Sequence, residues 1–160
     1  LTRSPFLCLI APGLGFGPLM VMGTDFILTG HYSWTAAIAS LVPFFLVNDL
    51  LLLNQFPDVE PDRQFGRDHL LIRIGRPAGA RVYVLFMILN YAVIVFACLF
   101  TVLPQGALLG LLTLILAVPV MRGVIRHADD IPGLIPYMVK NVIINISTPV
   151  LVALGLFINH

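Results

Sequence analysis

Five long apolar runs separated by short polar connections dominate this chain of 160 residues. They extend over residues 5–29, 34–56, 82–103, 106–121 and 136–159. About 20 apolar residues in helical form cross the hydrocarbon core of a bilayer. A chain inside lipid must satisfy its own backbone N–H and C=O groups, so runs of this length are expected as transmembrane helices. Composition agrees. Hydrophobic residues make up 59% of the chain and charged ones 11%, where a soluble domain carries roughly 25% charged residues. A water-soluble globule and a disordered chain are both excluded on that ground. The net charge of +1 gives no basic excess of the kind that marks nucleic-acid binding. The expected fold class is all-α, a polytopic helical membrane protein with five transmembrane helices in one domain, residues 1–160.

The runs differ in character. The first holds Pro12 and Pro18 with glycines at 13, 15, 17 and 23, which predicts a kinked or closely packed helix. The fourth is short, and is expected to be little tilted or partly interfacial. Cys8 and Cys98 lie inside apolar runs without metal-ligand or redox spacing, and read as inert small hydrophobes.

Charge gives orientation. Arg3 precedes the first run. Arg63, Arg67, Arg73, Arg76 and Arg81 fall in the first long connection, and Arg122, Arg126 and Lys140 in the second. The turns at 30–33 and 104–105 carry no Lys or Arg. With five spans, all nine basic residues fall on one side. The positive-inside rule makes that side cytoplasmic and puts His160 outside.

Polar residues at the end of the second run then need a reason. Asn54, Asp58 and Asp62 are spaced four apart. On a continuous helix they form one stripe with about 6 Å of rise between members. Two carboxylates and an amide oxygen facing one cavity suit Mg²⁺, which binds through one or two carboxylates plus substrate phosphates. Arg63, Arg67 and Arg73 are suited to hold a diphosphate from the other side, since guanidinium groups grip phosphate oxygens in pairs. Pro57 and Pro61 predict that the helix ends or bends here. The plain alternative is a solvated loop whose acids pair with its own arginines, and His69 reads more simply as a solvated residue of that loop. Asp49, deeper in the second run, is either a functional group or the partner of an amide on a neighbouring helix. Asp25 falls where solvent reaches it. Asn141, Asn145 and Thr148 share one face of the fifth run, for interhelical hydrogen bonds or a cavity wall. Tyr83 and Tyr91 suit an interfacial belt or a pocket, and Trp34 an interface anchor.

The stretch from Asn54 to Arg67 resembles the UbiA-type intramembrane prenyltransferases, and looks closest to their 1,4-dihydroxy-2-naphthoate polyprenyltransferase branch. The residues matching that family's second aspartate-rich motif are Asn54, Asp58, Asp62, Arg63, Gly66 and Arg67. The resemblance extends to Gly15, Gly17, Pro18, Gly23 and Thr24 before the motif, and to Gly75, Arg76, Pro136, Asn141, Thr148, Pro149 and Gly155 after it. It implies a nine-helix bundle in which these five spans correspond to helices five to nine. It also implies a Mg²⁺-dependent transfer of a polyprenyl group from its diphosphate to an aromatic acceptor of quinone-type biosynthesis. Asp58 and Asp62 then serve as catalytic metal ligands, with Asn54, Arg63, Arg67 and Arg73 binding substrate. The sequence departs from the family in two ways. It holds no first aspartate-rich motif, so it is expected to be the C-terminal half of the fold, inactive without its N-terminal half. Asp68, His69 and Leu70 stand where a basic residue, a threonine and a leucine are usual. A catalytically inactive protein that binds isoprenoid lipid or scaffolds a partner is the second reading. A small transporter or channel is the third, with little support because the polar residues crowd at one face.

Overall fold

The computed structural model describes residues 4–158, so Arg3, Asn159 and His160 lie outside the described residues. The described chain is helical, with no strand among the described residues. Its helices are α1 (Pro5–Leu14), α2 (Met20–Thr29), α3 (Trp34–Ala39), α4 (Leu41–Gln64), α5 (Leu70–Ile74), α6 (Arg76–Leu99), α7 (Leu114–Arg126) and α8 (Ile131–Ile158). A π-turn at Gly15–Leu19 joins α1 to α2, and a 3-10 stretch at Gln105–Thr113 leads into α7. Together they make five segments long and apolar enough to cross a membrane: Pro5–Thr29, Trp34–Gln64, Arg76–Leu99, Gln105–Arg126 and Ile131–Ile158. The protein is therefore an integral membrane protein.

Local chemistry explains the joints. Pro18 has no N–H for the helical ladder, and the π-turn absorbs the missing bond, with the Met20 N–H reaching the Gly15 carbonyl five residues back. Gly30 ends α2 in the left-handed conformation at φ 77°, a backbone state that costs little only for glycine. Ser33 then caps α3 by accepting the Ala36 N–H at 3.1 Å. Asp25 is tied into this turn by the Ser33 N–H and hydroxyl at 3.0 and 2.9 Å.

Several boundaries differ from those read in the sequence. The second span does not end at 56. The helix runs through Pro57 and Pro61 to Gln64. The two prolines lie four apart near the polar end of the helix, where the carbonyls they leave unpaired are cheap to satisfy. Arg76 also ties this turn to α6, its Nε donating to the Phe56 carbonyl at 2.9 Å. The third span starts at Arg76 and stops at Leu99, because the polar start of α6 needs only helical backbone and not apolar side chains. The fourth is not short. Its 3-10 stretch and α7 continue past Met121 to Arg126, and the fifth begins at Ile131.

The core runs along α4, which packs against α1, α6 and α8. Val42, Leu46, Leu52, Leu53, Phe56 and Val59 are buried on it, facing Tyr83, Met87 and Ile94 of α6 and Leu134, Ile144 and Val152 of α8. Polar cross-ties hold the helices where apolar lipid provides no hydrophobic drive between them. The Asn48 Oδ1 accepts the Gly13 N–H at 2.8 Å. The Tyr83 hydroxyl donates to Asn141 Oδ1 at 2.8 Å, and Asn145 Nδ2 donates to the Leu46 carbonyl at 2.6 Å. Thr113 Oγ1 lies 2.8 Å from both the Tyr91 hydroxyl and Thr148 Oγ1. The tyrosines and the α8 polar face thus serve as interhelical bonds. Trp34 is exposed at the start of α3, and Cys98 is buried with its Sγ 3.5 Å from the Pro104 carbonyl.

Among the described glycines the closest approach to another backbone is at Gly155, where a Cβ would run into the Gly106 carbonyl. Gly155→Val is expected to cost about 1–3 kcal/mol of stability through overpacking. A thermal melt in detergent reads this directly, and a melting temperature equal to wild type would show that the two backbones do not meet.

Candidate functional site

Continuity of α4 through its prolines has one decisive effect: it keeps the polar stripe on one face. Asn54, Asp58 and Asp62 line a single cavity of about 340 Å³. Leu51 and Gln55 lie on the same α4 wall, Cys8 and Pro12 of α1 form another, and Arg67, Asp68 and His69 of the following loop close the end. A second groove of about 360 Å³ lies on the other flank of Asn54, between α4 and α8. It is lined by Pro57, Ile131, Ile135, Met138, Val139 and Val142. Asn54 borders both spaces, one polar and one apolar.

The three arginines part company. Arg67 is on the cavity wall, and its Nη1 lies 3.0 Å from Asp62 Oδ1. Arg63 is exposed and stands 3.9 Å from Glu60, off the cavity. Arg73 is also off it, forked onto Asp68 with its Nε at 2.9 and 3.0 Å from the two carboxylate oxygens. That fork holds the Asp68 carboxyl below its usual value and the Arg73 guanidinium above its own. Part of the loop therefore behaves as the plain reading expected, acids paired with their own arginines, while the Asn54–Asp62 stripe faces a hollow.

His69 is what sequence reasoning missed. It is 5% exposed, not solvated. Its Nε2 lies 3.5 Å from Asp62 Oδ2, and it faces the cavity. The signal was the apolar triplet Leu70, Leu71, Ile72 that follows. Leu71 is fully buried and pulls α5, with His69 at its start, back into the bundle. Gln55 Oε1 is likewise buried without a partner on the cavity wall.

No set of three or more His, Cys, Asp or Glu side chains converges as an all-protein metal cage among the described residues. Two carboxylates and an amide oxygen along one wall still fit a hard divalent ion of the Mg²⁺ type, which takes its remaining ligands from water and phosphate.

A model of the UbiA prenyltransferase family matches residues 1–137. The chain belongs to the UbiA prenyltransferase family. No curated protein and no solved structure matches it significantly. The UbiA match spans the cavity, its loop and the first four membrane segments. Membership assigns the chain, in general terms, to intramembrane prenyl transfer between a prenyl diphosphate and an aromatic acceptor, a chemistry that is generally divalent-metal dependent.

Burial holds the His69 imidazole below its ordinary value, against the pull of Asp62, Asp58 and Asp68. The unfolded chain then takes up this proton at higher pH than the folded one. Stability is therefore present above about pH 6.5 and is lost as pH falls through that value. His69→Gln is expected to flatten the fall of melting temperature between about pH 7.5 and 5.5. Parallel wild-type and variant curves would show that His69 does not titrate differently on folding.

Proposed function

We propose that this UbiA protein transfers a polyprenyl group to a dihydroxynaphthoate-type aromatic acceptor in quinone biosynthesis, in the cavity bounded by Asn54, Asp58 and Asp62. The observation that carries the proposal is that these three residues line one hollow with Arg67. Asp58 and Asp62 hold Mg²⁺, with Asn54 assisting. When bound, Mg²⁺ neutralises the negative charge of the leaving diphosphate. Arg67 donates to phosphate oxygens once it leaves Asp62. Arg63 and Arg73 reach the headgroup only by releasing Glu60 and Asp68, so they contribute less. The apolar groove beside Asn54 takes the start of the prenyl chain, which continues along the lipid-facing bundle. Leu51 and Pro12 keep bulk water from the reacting carbon, where a cationic centre would be quenched. The arginine-rich end of the bundle is cytoplasmic.

One observation favours a second reading, an isoprenoid-binding protein without turnover. Asp62 and Asp68 are already paired with Arg67 and Arg73, leaving less free charge for metal and diphosphate.

Asp58→Ala and Asp62→Ala are each expected to lower kcat/KM for polyprenyl diphosphate by about 100-fold or more, and chelation of Mg²⁺ to abolish turnover. Product formation with radiolabelled polyprenyl diphosphate and 1,4-dihydroxy-2-naphthoate checks this. Full activity in both variants defeats the assignment, and saturable binding without product favours the second reading.

Sidedness has its own test. An impermeant thiol reagent on intact cells should label Tyr32→Cys and spare Phe65→Cys, both positions being exposed. The reverse pattern inverts the topology.

A further inference from the structure

His69 stands beside Asp62 in a way that ordinary packing leaves unexplained. Its side chain is 6% exposed and that of Asp62 16%, and both line the same cavity. Neither ring nitrogen has a hydrogen-bond partner. The Nε2 to Asp62 Oδ2 distance is 3.5 Å, longer than an N–H···O hydrogen bond. A buried imidazole with both nitrogens unsatisfied is costly.

The backbone fixes the ring at this place. The chain reverses at Gly66, and the Arg67 N–H donates to the Asp62 carbonyl at 3.0 Å. His69 then begins α5, its carbonyl accepting the Ile72 N–H at 3.1 Å, and the buried Leu71 anchors that turn. On the carboxylate the two oxygens have different neighbours. Oδ1 is 3.0 Å from Arg67 Nη1, while Oδ2 faces the ring nitrogen.

Donor spacing separates a weak contact from a ligand pair. Two donors at about 2.1 Å from one ion stand about 3.0 Å apart in octahedral geometry and about 3.4 Å apart in tetrahedral geometry. The 3.5 Å between Nε2 and Oδ2 is close to the tetrahedral value. No third His, Cys, Asp or Glu completes a cage among the described residues, so the other positions fall to water or a phosphate oxygen from the cavity. Imidazole nitrogen suits zinc and its neighbours, whereas Mg²⁺ takes oxygen. We propose that Asp62 Oδ2 and His69 Nε2 are joint ligands of a divalent ion of the zinc class, bound more tightly than Mg²⁺ in this cavity. The inference rests on Asp62 being a metal ligand, as in the reaction proposed above, and names the ion that this carboxylate prefers.

The test is equilibrium dialysis of the purified, untagged protein in detergent against Co²⁺ or Mg²⁺, with Co²⁺ as the coloured stand-in for zinc. Co²⁺ is expected to bind at least about tenfold more tightly than Mg²⁺. His69→Gln should lower Co²⁺ affinity by about tenfold or more and leave Mg²⁺ affinity within about twofold. His127→Gln is the control, because His127 lies 3.1 Å from Asp130 at an exposed pair elsewhere, and it should leave Co²⁺ binding intact. The X-ray absorption spectrum of the wild-type zinc complex should show outer-shell scattering from one imidazole, which decides the matter even if His69→Gln does not fold. Equal wild-type affinities, a spectrum without imidazole scattering, or Co²⁺ binding lost in His127→Gln but kept in His69→Gln each overturn the proposal. Co²⁺ affinity unchanged in His69→Gln, with both ions still dependent on Asp62, overturns it while leaving the prenyl-transfer reading in place. His69-dependent Co²⁺ binding in a protein without transferase activity upholds it and removes that reading instead.

Discussion

One helix carries both the packing and the chemistry. α4 lies against α1, α6 and α8, and its buried face from Val42 to Val59 is the middle of the core. Its last three turns present Asn54, Asp58 and Asp62 to the cavity. Such an arrangement depends on the helical ladder surviving two prolines. If α4 stopped at Phe56, the members of the stripe would have no common face, and the loop would carry its charges into solvent. The Arg76 bond to the Phe56 carbonyl therefore couples the geometry of the site to the start of α6.

Away from α4 the bundle is held by a sparse set of polar ties in an apolar setting. Tyr83 to Asn141, and Tyr91 through Thr113 to Thr148, join α6 to the 3-10 stretch and α8. In lipid, apolar faces gain little from meeting each other rather than acyl chains. Close backbone contact and interhelical hydrogen bonds do more of the work. Gly155 against Gly106 and Gly13 against Asn48 are the contact side of that balance. Large apolar side chains such as Leu19, Ile27, Ile115 and Phe157 are turned outward on the surface of these five segments.

The site shows how local charge pairing divides a loop by function. Three arginines of one connection look alike in sequence. Only Arg67 is on the cavity wall, because the chain reverses after α4 with Gly66 at φ 69° and brings residue 67 back beside Asp62. Arg73 sits at the end of α5, where Asp68 is within reach of its fork. His69 was legible only through its apolar neighbours, since a histidine amid arginines and acids is ordinarily solvated, and nothing in the polar pattern itself marks it as buried.

Apolar run length and the placement of basic residues were enough to establish five membrane helices and the end of the bundle that carries the charge. Both are set by the transfer of segments between water and lipid, a property of composition along the chain. The four-residue spacing of Asn54, Asp58 and Asp62 likewise defined a stripe from helical period alone. Only the tertiary structure decided that α4 continues through Pro57 and Pro61, which of the arginines borders the hollow, and that His69 and Asp49 are buried. Those outcomes depend on which neighbour supplies a hydrogen bond or excludes water at a given atom, and such neighbours are separated by tens of residues in the chain.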